Sequence, residues 1–179
     1  MMSIRTNHFH VNHTGFSLIE TLVAVSVLML AVVGPLTIAS KGLISAQFAR
    51  DQIIAFHLAR EATELIRNTR DTNMLPDIAV PENWLSGMEA CMAPSVCRVD
   101  GLSTSFSSCP GGVCPHLKKN NAGVYGYDSG WTNTPFVRSI SITEIVPGVE
   151  IAANVSVEWQ TGFLNKEFTI TEHFFNWRQ

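Results

Sequence analysis

The sequence predicts an α+β fold in which one long N-terminal helix packs on a small C-terminal antiparallel sheet of about three or four strands. Three patterns predict it. A run of twenty uncharged residues, Thr21–Ser40, is followed by an apolar stripe at helical spacing and, after Gly130, by alternation of apolar and polar residues. These patterns divide the 179 residues into five predicted segments: 1–15, 16–40, 41–72, 73–135 and 136–179.

The uncharged run is long enough to cross a membrane. Twenty helical residues span roughly 30 Å, the thickness of the hydrocarbon core of a bilayer. A cleaved secretory signal has a shorter apolar run and no acidic residue at its entrance, whereas Glu20 precedes this one. A buried core helix of this length is too long for so small a domain. The sequence therefore predicts a membrane-spanning helix over 16–40.

Gly34 and Pro35 lie inside this helix. Proline removes one backbone hydrogen bond and clashes with the preceding turn, so we expect a kink or a loosening there. In lipid, neighbouring helices can supply a partner for the freed carbonyl.

The segment 41–72 has the pattern of an amphipathic helix. Apolar residues recur at steps of three and four: Ile44, Phe48, Ala55, Leu58, Ala62 and Leu65. One helix is therefore predicted from about Phe16 to Asp71, apolar on all sides at first and on one side afterwards. Ion pairs on its surface are predicted for Arg60–Glu64, Glu64–Arg67 and Arg67–Asp71.

The segment 73–135 is rich in turn-forming residues and contains all four cysteines: Cys91, Cys97, Cys109 and Cys114. An even number of cysteines in a loop-rich segment outside the cytoplasm indicates two disulfides. Three connectivities are possible, and the local pairs 91–97 and 109–114 are the simplest.

Two metal sites are alternatives for this segment. Zinc would use Cys109, Cys114 and His116, but the cysteine spacings are wider than the usual CxxC of structural zinc. Calcium would use Asp100 and Asp128, single carboxylates in separate loops. The sequence therefore favours disulfides and predicts no metal.

The segment 136–179 alternates with a period of two, which indicates an antiparallel meander with one solvated face. Its three predicted strands run from Phe136 to Ile145, from Val149 to Trp159 and from Phe163 to Trp177. Pro147-Gly148 and Thr161-Gly162 separate them. The apolar face is expected to cover the apolar stripe of the helix.

Charge and motifs exclude several function classes. The net charge is −3 and only Lys118 and Lys119 are adjacent cations in the loops, so no nucleic-acid partner is expected. The sequence contains no glycine-rich phosphate loop, no GxSxG and no HExxH. We therefore predict a protein that is not an enzyme and needs no cofactor.

One motif goes further than these general patterns. Gly15-Phe16-Ser17-Leu18-Ile19-Glu20 opens the run GFSLIETLVAVSVL, which resembles the type IV prepilin family, including the pseudopilins of type II secretion. The resemblance implies that a prepilin peptidase cleaves after Gly15 and that Phe16 becomes N-methylated. It also implies that Glu20 meets the N-terminal amine of a neighbouring subunit, and that Gly34-Pro35 loosens in the filament. The alternative for Glu20 is a position at the lipid headgroups.

The leader departs from the family in its charge. Many family leaders have Lys or Arg just before the glycine, whereas this chain has His13-Thr14. Positive charge on the cytoplasmic side sets orientation, and Arg5 is the one arginine there. Residues 1–15 are nevertheless predicted to be a cytosolic leader.

The resemblance implies a structural role. The chain would be a subunit of a type IV pilus or a pseudopilus, and its cysteine-bearing insert favours a minor one. It would cross the inner membrane once, with its domain outside the cytoplasm, before assembly with other subunits, the peptidase and the assembly platform. The alternatives are a tip adhesin or DNA-binding pilin whose loop region 84–130 contacts a ligand, and a membrane-tethered enzyme.

Overall fold

The computed structural model describes residues 15, 17–75, 83–162 and 164–177. The chain divides into two compact units, residues 1–46 and 47–179. One helix of 56 residues, α1 (Leu18–Asn73), contributes to both. Its bounds agree with the predicted helix to within two residues, and the chain has the α+β class predicted for it.

The strands of the described residues form one antiparallel sheet of seven strands. They are β1 (Cys97–Val99), β2 (Phe106–Ser108), β3 (His116–Lys119), β4 (Tyr125–Gly126), β5 (Thr132–Val146), β6 (Glu150–Thr161) and β7 (Leu164–Phe175). The expectation of three or four strands was therefore wrong. The meander is β5–β7, and the four extra strands lie in the segment expected to be loops. Each has only two to four residues, too few to show an alternating pattern.

Strand β5 is the centre of the sheet. One of its edges pairs with β6, which pairs with β7 along all twelve residues of both strands. The other edge is shared by two short strands: β3 pairs with the first half of β5, and β1 pairs with it at Ile140. β4 extends β3, and β2 extends β1.

The core lies between the sheet and the part of α1 within residues 47–73. The buried residues of α1 are Ala55, Leu58, Ala59, Ala62, Thr63 and Ile66. Ala55, Leu58 and Ala62 belong to the predicted stripe. Phe48 and Leu65 of the stripe are partly buried and packed against this core, and Ile66, which was not predicted, is fully buried. Ile44 was wrongly included, because it is 65% exposed. Steps of three and four residues both keep a residue on the same helix face, so the spacing from Ala62 allowed Leu65 and Ile66 alike.

Polar contacts at the end of α1 also reach the sheet. Arg67 donates to Glu64 at 2.9 Å and also pairs with Glu172 of β7. The hydrogen bond to the Glu172 carboxylate raises the pKa of the Arg67 guanidinium above its usual value. Asp71 pairs instead with Arg70 at 2.6 Å. Of the three predicted helix-surface pairs, Glu64–Arg67 is the one formed in the described part of the chain.

Candidate functional site

Of the motif residues, Glu20 lies in the first turn of α1. Gly15 is exposed, and Phe16 lies outside the described residues. Ser17 caps the helix: its Oγ accepts the N–H of Glu20 at 3.3 Å, and its carbonyl oxygen accepts the N–H of Thr21 at 3.2 Å. Ser-x-x-Glu is the sequence of a capping box, and a carboxylate in the first turn is stabilised by the helix dipole. The Ser17 half of this box is formed, whereas the Glu20 carboxylate makes no return bond to described residues.

The hydroxyl groups of the uncharged run all bond to their own helix. Thr21 donates to Leu18 O at 2.9 Å, Ser26 to Leu22 O at 2.8 Å, Thr37 to Val33 O at 2.8 Å and Ser40 to Leu36 O at 2.9 Å. Ser and Thr satisfy themselves in this way when no water is present to do so. The helix therefore needs no outside partner for these four groups.

Glu20 is the exception among the polar side chains of this stretch. Its carboxylate has no hydrogen bond or ion pair with any residue that the structure describes. The next charged residue along the helix is Lys41, more than five turns away. A carboxylate at the entrance of an apolar span is costly in lipid unless it finds a partner.

The rest of this part of α1 is apolar and uncovered. Every described residue from Ser17 to Gln47 is exposed, including Leu18 at 82% and Leu30 at 77%. In the described part of the chain, α1 is the one helix that is long and apolar enough to cross a membrane. An exposed apolar surface of this extent marks a membrane or protein contact.

α1 continues through Gly34 and Pro35 as one α-helix. Proline has no N–H to donate, so the Ala31 carbonyl lacks its usual partner within the helix. The freed carbonyl lies in the middle of the uncharged run. The kink or loosening stays a prediction.

The four cysteines form two disulfides, Cys91–Cys97 and Cys109–Cys114. Of the three possible connectivities, this is the one with the two local pairs. Cys97 belongs to β1 and lies opposite Ile140 of β5, and both Cys91 and Cys97 are fully buried. The first disulfide therefore holds the 3₁₀ turn Glu89–Cys91 against the sheet. The zinc alternative loses its ligands, because Cys109 and Cys114 have no thiolate to offer.

In the calcium alternative, the carboxylate of Asp100 and the backbone carbonyl of Asp128 have other partners. Asp100 Oδ1 accepts the N–H of Leu102 at 3.1 Å, and the Asp128 carbonyl oxygen accepts the ammonium of Lys118 at 3.1 Å. Within the described ranges, no three His, Cys, Asp or Glu side chains are grouped so that they could hold a metal ion. Lys118 is thus engaged within the loops, and Lys119 lies over the ring of Tyr125 at 5.4 Å.

A buried arginine joins the helix to the sheet. Arg138 of β5 is fully buried and donates to three acceptors: Leu58 O at 2.9 Å, Val99 O at 2.7 Å and Glu61 Oε2 at 2.8 Å. Burying a charge requires such pairing. Sequence analysis placed Arg138 in a strand without assigning it a role. The available signal was its inward position in the alternation between Phe136 and Ile140.

Tyr127 is close to Arg138. Burial raises the pKa of the Tyr127 phenol, against the opposing charges of Arg138 and Arg98. The Arg98 guanidinium lies over the ring at 4.6 Å. Yet neither Tyr127 Oη nor Arg138 Nε has a partner in hydrogen-bond geometry among the described residues. Both atoms are buried, and a side-chain contact with Arg138 lowers the pKa of the phenol against the effect of burial.

Comparisons with protein-family models, with curated proteins and with solved structures found no match for this chain.

Proposed function

We propose that the protein is a minor structural subunit of a type IV pilus or a type II secretion-like pseudopilus, polymerised through the N-terminal part of α1. The observation that carries the proposal is Glu20: it is the one polar side chain of the stretch from Leu18 to Ser40 that has no described partner. Four hydroxyls donate hydrogen bonds to carbonyls of their own helix, whereas the carboxylate of Glu20 is available to a group of another molecule.

In this proposal the partner of Glu20 is an amine. Cleavage after Gly15 creates a positive N-terminus at Phe16, next to the capped start of α1. An amine there repels the positive end of its own helix dipole, and the Glu20 of a neighbouring subunit offsets that repulsion. The pairing fixes the register of one helix against the next, while the apolar side chains supply van der Waals contact.

The two disulfides support a location of the domain outside the cytoplasm, since disulfides persist in oxidising compartments. The exposed apolar run supports membrane insertion before assembly. Together they favour a single crossing of the inner membrane with residues 1–15 in the cytosol. The partners in this proposal are other subunits, a prepilin peptidase that methylates Phe16, and an assembly platform.

The decisive experiment separates processing from assembly. Gly15→Val is expected to leave the chain at precursor size in cells that contain a prepilin peptidase, while the unchanged chain acquires an N-terminus at Phe16 with one added methyl group by mass spectrometry. Glu20→Gln is expected to be cleaved normally but to be absent from sheared filaments or pseudopili.

Each variant has its own contradicting result. A Gly15→Val chain of mature size would refute cleavage at this glycine. A Glu20→Gln chain that enters filaments as well as the original would refute the amine partner and favour the headgroup position for Glu20. Ser26→Ala is the control, because its hydroxyl bonds only to Leu22 O and should not affect assembly.

A further inference from the structure

A polar cleft lies within the unit formed by residues 47–179. It is bounded by the turn of α1 from Gln47 to Ile54, the β3–β4 turn and the start of β5, and its volume is about 430 Å³. Small-molecule sites have volumes of roughly 300–1,000 Å³. We call it the amide cleft after the side chains that face it: Gln47, Arg50, Lys119, Asn121, Asn133 and Gln160.

These six side chains are not used by the fold. Five of them make no side-chain hydrogen bond or ion pair with any described residue, and the ammonium of Lys119 lies over the face of Tyr125. Other polar groups of the same wall hold the structure together. Asn120 Oδ1 accepts the N–H of Val124 at 2.9 Å, and Thr134 Oγ1 donates to Leu117 O at 2.7 Å. The wall of the cleft thus combines hydrogen-bonded side chains with exposed amides and an arginine that make no hydrogen bond to described residues.

The cleft has a small positive excess. Its lining includes two cations, Arg50 and Lys119, and one carboxylate, Asp51. Asp51 accepts a long hydrogen bond of 3.3 Å from Thr161 Oγ1. Arg50 and Tyr125 both line the cleft. Burial raises the pKa of the Tyr125 phenol, and the charge of Arg50 opposes that rise. One cation therefore remains for an anionic group of a ligand.

We propose that the amide cleft binds an acidic carbohydrate. A primary amide has a donor and an acceptor side by side, which suits neighbouring sugar hydroxyls that both donate and accept. The planar guanidinium of Arg50 suits a carboxylate with two parallel hydrogen bonds. An isolated anion would need no amides, and an apolar ligand would leave all of them unpaired.

A nucleic acid fits less well. Single strands need several cations along the backbone and free aromatic faces for stacking. Here Lys119 covers one face of Tyr125, and the ring edge packs against Phe136 with centroids 6.3 Å apart. The cleft also includes Asp51, which repels phosphate.

A second cavity extends the cleft. It has a volume of about 320 Å³, shares Lys119, Asn121 and Thr132 with the first, and reaches Trp131. One side of the Trp131 ring packs on Gly126, where a Cβ atom would lie 3.0 Å from it. Two joined cavities suit a ligand of more than one sugar unit.

This inference rests on the proposed function only in placing the domain outside the cytoplasm, where such saccharides occur. Its test uses the unassembled full chain, so a failure of assembly does not affect it. The chain is held in a polyoxyethylene-ether detergent, because a sugar headgroup would compete. Calorimetric titration then uses digalacturonate, a hyaluronan disaccharide and sialyllactose, with cellobiose and lactose as neutral counterparts.

We expect at least one acidic saccharide to bind, and to bind more tightly than both neutral ones. Arg50→Ala should weaken that binding about tenfold to a hundredfold, the size of a lost charge-assisted hydrogen bond. Asn133→Asp should also weaken it, since it adds a carboxylate without changing the size of the side chain. Arg60→Ala is the matched control: Arg60 is an exposed arginine on the same helix that does not line the cleft.

Four results would overturn the proposal. They are no binding by any acidic saccharide, equal binding by the neutral ones, an equal loss in Arg60→Ala, and tighter binding of oligothymidylate through the same residues. Unchanged tryptophan fluorescence in each variant shows that it is folded, because all four tryptophans, Trp84, Trp131, Trp159 and Trp177, lie in the unit from Gln47 onward.

Discussion

The two parts of α1 have the same backbone conformation and opposite surroundings. Up to Gln47 every described side chain is exposed and most are apolar, whereas beyond it six residues are buried against the sheet. Val27 and Ile53 illustrate the difference. They are 59% and 58% exposed, yet one belongs to a stretch with no polar face and the other to a helix with a fully buried opposite face. Hydrophobicity alone does not decide what a helix packs against; the width of its apolar surface does.

The largest expected effect concerns the buried arginine that ties the second part of α1 to the sheet. Arg138→Ala removes three hydrogen bonds, and we expect the free energy of unfolding to fall by about 3–5 kcal/mol. Urea denaturation of the full chain in detergent, followed by tryptophan fluorescence, measures it. Arg60→Ala is the control and should change stability by no more than about 0.5 kcal/mol. An equal loss in both variants would contradict the role of Arg138.

The second prediction compares the same substitution at two equally exposed positions, one in each part of α1. Val27→Arg puts a charge in the middle of the uncharged run and should disfavour membrane insertion by about 3 kcal/mol. Ile53→Arg puts the same side chain on a solvated face and should leave insertion unchanged. The measurement is the fraction of chain that remains in carbonate-washed membranes. If the washed membranes retained both variants equally, the result would contradict the prediction that Val27, unlike Ile53, belongs to the membrane-spanning part of α1.

The third prediction concerns the cysteines, whose effect should be confined to the unit from Gln47 onward. Replacing Cys91 and Cys97 together by Ser removes a short loop closure worth roughly 2 kcal/mol and places two hydroxyls in the core. The same change at Cys109 and Cys114 should cost less, since those sites are 6% exposed. Urea midpoints of the two double variants give the order. Equal midpoints would show that burial of the first pair contributes nothing.

The smallest effect is that of pH through Tyr127. Burial raises its pKa in the folded chain, so above about pH 10 the unfolded tyrosine loses its proton first. The unfolded state then holds fewer protons than the folded state, and the free energy of unfolding falls as pH rises. Tyr127→Phe removes this contribution. It also removes a buried hydroxyl without a described partner, so at neutral pH it should stabilise the chain or leave it unchanged.

The measurement is the difference in unfolding free energy between the original chain and Tyr127→Phe at successive pH values from about 8 to 11. Subtraction cancels the lysines and Tyr125, which titrate in the same range. A difference that does not change with pH would contradict the raised pKa.

Much of the fold follows from periodicity. The uncharged run and the stripe predict α1 to within two residues at each end, and alternation predicts β5, β6 and β7. Strands β1 to β4 were missed because their pairing depends on a partner distant in sequence. For example, Cys97 lies opposite Ile140. Short strands of this kind are set by tertiary contacts rather than by local pattern.

Some candidate sites can likewise be predicted from local sequence patterns, and others depend on the fold. Gly15, Glu20 and the cysteines stand out in the sequence because a fixed spacing or an even count marks them. The amide cleft does not, since Gln47, Asn121 and Gln160 are ordinary surface residues until the fold brings them to one cavity. The capping role of Ser17 could have been predicted from Ser-x-x-Glu. It was missed because the same residues belong to the prepilin-like motif.

The four self-bonded hydroxyls of α1 have a consequence for reversibility. A helix that had to find partners for Thr21, Ser26, Thr37 and Ser40 in its neighbours would break hydrogen bonds each time it left them. In the proposed filament, these four hydroxyls would stay bonded to their own helix as it moved between lipid and protein, and the apolar side chains would exchange van der Waals contacts. The polar groups left to exchange partners would be the Ala31 carbonyl freed by Pro35 and the carboxylate of Glu20, so the reversibility of the proposed assembly would depend on these two groups.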